Sequence, residues 1–113
     1  MGVRLFPGPV RIYASVVTQV AVQAPTDVLS KNNTGLVPAW SYGAVGTYDL
    51  NFPSALAGSI NNILPQITLG QNAGQVACIT ATTSRVRVFT FNSAGAPTDV
   101  ILKNCSFLIQ ILI

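Results

Sequence analysis

The chain has 113 residues and a mass of 11.9 kDa, enough for one domain and not two. Half of its residues are hydrophobic and only 8% are charged, with three acids, all Asp, and no His. That inventory excludes a His general base, a paired-Glu glycosidase site and a His-ligated zinc site. It also excludes an intrinsically disordered chain, which is charged and poor in apolar residues.

Along the chain, residues 1–9 (MGVRLFPGP) read as an extended arm, because two prolines around Gly8 forbid a helix. Residues 10–113 read as a single domain. Residues 10–23 form a long strand with a bulge near Val17, where the apolar phase shifts toward Val20 and Val22. APTDVLSKNNTG is a turn region around a short strand. Residues 36–42 and 46–52 form a hairpin about Gly43–Gly46. Residues 53–74 are the least regular, with one helical turn near Pro53–Gly58 and a short strand at Gln66–Leu69. QVACITATT (75–83), RVRVFTFN (85–92) and CSFLIQILI (105–113) are strong strands. About eight short strands with no helical crossover predict an all-β, antiparallel β-sandwich of jelly-roll type.

No apolar run reaches the length of a transmembrane helix. The stretch ending Val22-Gln23-Ala24 mimics a signal cleavage site, but Thr18 and Gln19 interrupt it and Pro25 follows it, so no signal peptide is expected. Cys78 and Cys105 sit in apolar runs, which favours free buried thiols over a bridge.

One segment is repeated without a gap: APTDVLSKNN at 24–33 and APTDVILKNC at 96–105. One carboxylate per copy, Asp27 or Asp99, is too few for calcium. A turn in which Pro sets the backbone and Asp accepts N–H bonds explains the repeat better. The expectation is two equivalent connections at one end of the sandwich.

The last strand is apolar on both faces. Cys105, Phe107, Ile109, Ile111 and Ile113 point one way; Ser106, Leu108, Gln110 and Leu112 point the other. A sandwich supplies core on one side only, so the second side calls for another chain or the arm. Leu5 and Phe6 of the arm, with Leu108, Gln110 and Leu112, are therefore the candidate oligomer interface.

Catalytic chemistry finds no support. No Ser or Cys has a His to activate it, and no phosphate loop or dinucleotide fingerprint is present. The expectation is no enzyme, no cofactor and no metal. A ligand surface of Trp40, Tyr42, Tyr48 and Asp49 on adjacent hairpin strands would suit stacking on a sugar, such as a host-surface glycan, although a lone Trp more often fills a core. Arg85 and Arg87 share a strand face with Phe89 and Phe91, a stripe that suits single-stranded nucleic acid. Two arginines edging a buried strand explain it as well, and no nucleic-acid or membrane partner is expected.

The C-terminal stretch RVRVFTFNSAGAPTDVILKNCSFLIQILI resembles the ending of small β-sandwich structural proteins of phages and prophages, especially those of Bacteroidetes-type hosts. There, a strand, a Gly turn, a Thr-Asp stretch and a final alternating strand follow in that order. The APT, N-x-T-G and GTYDLNF segments of the first half keep the same order of features. The resemblance implies a virion component, assembled in the host cytoplasm, of capsid-decoration, head-fibre or tail-appendage type. It implies homo-oligomers, trimers first, and contacts with other virion proteins. The chain departs from the pattern in ending on LIQILI where a charged strand is usual, and residues 1–9 lie outside the pattern. A glycan- or receptor-binding module is the alternative.

Overall fold

The computed structural model describes residues 10–112; the expected arm at 1–9, with Leu5 and Phe6, and Ile113 lie outside the described residues. Eight strands form in chain order: β1 (Val10–Thr18), β2 (Thr26–Asn32), β3 (Ala39–Ala44), β4 (Thr47–Asn51), β5 (Ile63–Thr68), β6 (Gln75–Thr82), β7 (Arg85–Phe91) and β8 (Cys105–Leu112). A single 3-10 turn at Ile60–Asn62, capped by the Ser59 hydroxyl, precedes β5. None of the described helices is long and apolar enough to cross a membrane.

The strands make two antiparallel sheets. The first has the order β2-β1-β8-β5 and the second β3-β4-β7-β6. β1 pairs with β8, β4 with β7 and β5 with β8, and β5 meets β6 across the sandwich edge. The expected antiparallel β-sandwich of eight strands is the architecture found.

Alternation decides which residues meet between the sheets. Tyr13 and Val17 from β1, Phe107, Ile109 and Ile111 from β8, Tyr48 and Leu50 from β4, and Val86 and Val88 from β7 are almost fully buried. Tyr13 packs edge-on against Phe107 and Phe52, at ring-centre distances of 6.3 and 5.8 Å. Each such side chain withdrawn from water contributes about 1.5–3 kcal/mol.

Three segments differ from the sequence expectation. Strand β1 stops at Thr18, and Val20 and Val22 stand exposed in the β1–β2 connection. The register does shift between Val16 and Val17, but the extra residue is on β2: Val16 faces Leu29 while Val17 faces Asp27. Strand β5 starts three residues before Gln66 and runs through Pro65. Proline is tolerated there because β5 is an edge strand, where a missing N–H leaves no partner unpaired. The helical turn forms at Ile60–Asn62 instead of within Pro53–Gly58.

The connections β1–β2, β3–β4, β5–β6 and β7–β8 gather at one end, and Val10 and Leu112 pair at the other. Gly46 closes the β3–β4 turn at φ 71°, and a Cβ there would lie 2.5 Å from the Thr90 carbonyl oxygen. Gly35 also has positive φ, with open space around it. Gly46→Ala is therefore expected to cost roughly 2–4 kcal/mol in urea unfolding, against about 1 kcal/mol for Gly35→Ala.

Candidate functional site

Strand β8 lies between β1 and β5 in the first sheet, so its outward side chains stand in registered rows with theirs. One row is Leu29, Val16, Ser106 and Thr68; the next is Lys31, Ala14, Leu108 and Gln66. A third joins Ile12, Gln110 and Leu64. The short side chains of Ala14 and Ser106 leave a floor between larger neighbours, and a shallow concavity of about 350 Å³ results. Leu29 is 63% exposed and Leu64 42%. Leu108 and Leu112 are half-buried and Gln110 is exposed; Leu112, at the end of the strand, also borders Leu56, Ala57, Gly58 and Asn62 of the β4–β5 connection. The residues singled out on β8 thus share one outward face, and the face extends to Val16, Leu29 and Leu64, which the sequence reading did not include. Reading them from sequence needed the strand order.

The four residues of the expected ligand surface are not brought together. Trp40, Tyr42 and Tyr48 face the interior, in register with Leu50 and with each other, whereas Asp49 faces outward opposite Ser41. Tyr48 is fully buried. Trp40 packs on Phe107 at 5.6 Å between ring centres, and its indole N–H donates to Asp27 at 3.1 Å. Asp49 is held by Arg87, with Nε donating to Oδ1 at 2.8 Å. That pair lifts the Arg87 guanidinium above its ordinary value. Arg85 donates to Asn51 at 2.9 Å. The outer face of β7 does carry Arg85, Arg87, Phe89 and Phe91 in line, but both arginines are bonded to β4.

The repeated segments have a role that sequence reading missed. Asp27 accepts from the Tyr13 hydroxyl at 2.5 Å, the Ser15 hydroxyl at 2.7 Å and Trp40. Asp99 accepts from the Tyr48 hydroxyl at 2.5 Å, the Tyr42 hydroxyl at 2.7 Å and the Gly46 N–H at 2.9 Å. Each repeat therefore aims one carboxylate at tyrosines of other strands. Only Gly46 supplies a backbone donor, and it belongs to another loop. Both copies start at the same end of the sandwich, as expected, but the first runs on as β2 and the second stays irregular until Cys105. The signal available in the sequence was two Asp at the same position of a repeated segment, with three Tyr and one Trp in a chain with little else to bond them.

Buried Gln19 completes this end. Its Oε1 accepts from the Val100 N–H at 2.6 Å and its Nε2 donates to the Gln23 carbonyl at 2.7 Å. Val100 is held at φ 63°, a strained setting for a β-branched residue.

Burial pushes the Asp99 carboxyl up, but the Gly46 amide, the two tyrosine hydroxyls and Gln19 together hold it below its ordinary 3.8. Burial, then the Asp99 bond, pushes Tyr48 up to about 12. Burial and Asp27 raise Tyr13 as well. Both cysteines are free thiols, as the apolar context suggested, and burial lifts Cys78 to about 11. Among the described residues no three His, Cys, Asp or Glu side chains gather where they could hold a metal ion. What this arrangement does chemically is fix loops and expose an apolar sheet face.

Comparison with protein-family models, curated proteins and solved structures finds no match.

The tyrosines are neutral in the fold beyond the pH at which free tyrosine ionises. Their contribution is therefore complete below pH 10, and that of Tyr48 is lost between pH 10 and about 12. Urea midpoints should fall across that window, and less steeply in Tyr48→Phe, where Tyr13 still contributes. Asp99 acts on the acid side: its contribution is present above 3.8 and is lost as pH falls through its lower folded value. Asp99→Asn should cost about 1–3 kcal/mol at pH 7 and flatten the acid limb of the same titration.

Proposed function

We propose that the chain is a non-enzymatic structural building block that assembles with copies of itself through the outer face of its first sheet. The observation that carries this is the two-sided apolarity of β8. Its inner residues fill the core, and its outer Leu108 and Leu112 continue into Val16, Leu29 and Leu64 with a single charge, Lys31, in the adjoining rows. Contiguous apolar surface of this kind on a sheet face marks a protein contact. A face with one charge per copy also offers little repulsion to its own twin.

In its finer form the proposal is a virion component of capsid-decoration, head-fibre or tail-appendage type, with trimers as the first assembly expected. The resemblance in the order of turns and strands along residues 10–113 supports that form. So does the placement of Val10 and Leu112 at one end, which leaves four loops at the opposite end, as suits a module tethered from one side.

The experiment is absolute mass by light scattering coupled to size exclusion. The expected result is an oligomer that survives dilution in the native chain and a monomer in Leu108→Lys/Leu112→Lys, with thermal unfolding within a few degrees of native. A native monomer, or a double variant of unchanged mass, overturns the proposal.

A further inference from the structure

The β1–β2 connection holds out an apolar tip that the sandwich does not use. Val20 is 74% exposed and Val22 69%. Among the described connections, this one alone carries two exposed large apolar side chains. Its two feet are fixed, because Gln19 and Pro25, on either side of residues 20–24, are buried. The Gln19 N–H donates to the Leu102 carbonyl at 2.7 Å, and the Gln19 Nε2 spans the loop to the Gln23 carbonyl at 2.7 Å. The Gln23 N–H closes a tight turn on the Ala21 carbonyl at 2.8 Å. A loop braced in this way has little freedom left to lose on contact, so its two valines form a preorganised knob. The loop also leads into β2, an edge strand, so no further strand of the first sheet flanks it there.

The outer face of the first sheet supplies a hollow of the opposite shape. It is floored by Ala14 and Ser106, the short outward side chains of β1 and β8, and walled by Leu29 and Leu108. One charged residue, Lys31, borders it. A copy packed face to face would meet the hollow with the same shallow surface, and a floor left without neighbours forfeits dispersion contacts. A projecting apolar loop fills it. Symmetry favours the loop as well. A patch packed on its own twin closes as a two-fold pair, whereas unlike patches joined head to tail generate rings. The trimer proposed above needs the second kind of contact. Within one copy the knob is not the occupant, since Val20 and Val22 stand in solvent.

We propose that the hollow receives Val20 and Val22 of a second copy of the chain, seated over Ala14 and Ser106 between Leu29 and Leu108. This rests on the reading that the outer face is a self-assembly surface, and names the surface that meets it. Each copy supplies one knob and one hollow, and the repeated contact closes a ring.

The test uses the full chain with p-benzoylphenylalanine in place of Val22, in an equal mixture of light- and heavy-nitrogen copies. After irradiation, the expected cross-links join light to heavy chains and map to residues 14–16, 29–31 and 106–108. Cross-links that never join light to heavy, cross-links elsewhere, or none overturn the proposal. A second variant separates it from the parent reading. Val20→Asp/Val22→Asp changes only exposed positions, so thermal unfolding is expected within a few degrees of native, while association weakens at least about tenfold. If that variant assembles normally while Leu108→Lys/Leu112→Lys does not, the face stands and the knob falls. If the native chain is a monomer, both fall.

Discussion

The pairing of β1 with β8 is the constraint on which the molecule depends. It places β8 inside a sheet with strands on both sides, so every residue of β8 is fixed to one face or the other. Its inner residues Phe107, Ile109 and Ile111 meet Tyr13, Trp40 and the second sheet, and the core is built around them. The same pairing commits Leu108 and Leu112 to the outside. A strand so apolar on both sides satisfies one set of side chains within the chain and leaves the other for a partner, which is why fold and proposed assembly have a common origin.

A charge-poor sandwich must still satisfy what polar groups it buries. Here that task falls to two carboxylates that form no ion pair among the described residues. Asp27 draws Tyr13, Ser15 and Trp40 together and so ties β2 to β1 and β3. Asp99 draws in Tyr42, Tyr48 and Gly46 and so ties the β7–β8 connection to the β3–β4 hairpin. Hydroxyl and amide donors replace the ion pair, so these ties are less exposed to salt than a surface bridge such as Arg87–Asp49. Among the described residues, no buried side-chain polar atom is left without a partner. The order imposed at that end extends to Gln19 and to the strained Val100.

The strands that were legible in sequence are those with an uninterrupted run of β-branched and aromatic residues bounded by turn residues. RVRVFTF adds a clean alternation to this, whereas CSFLIQIL was legible from the run alone. Strand β5 was less legible because Pro65 mimics a break; only its edge position makes the proline harmless. The end of β1 was misjudged because Val20 and Val22 keep a strand-like spacing although nothing pairs with them. The candidate assembly face was half legible: β8 disclosed its own outward residues, but Val16, Leu29 and Leu64 join them only through register. The aromatic hairpin was legible as a hairpin and not as a surface, because the direction of each ring depends on which face of the sheet meets the core.

By itself the sequence determined the class of the molecule: an all-β sandwich of about eight strands, without His, with a last strand apolar on both sides. These follow from composition and from the period of two, which are local properties. Strand order, the concavity of the first sheet, and the employment of Asp27 and Asp99 as anchors for tyrosines up to 51 and 57 residues away were decided by tertiary structure alone. The physical reason is that each depends on contacts between segments distant in the chain, and a carboxylate, a small side chain or an outward leucine acquires its role only from what the fold sets opposite it.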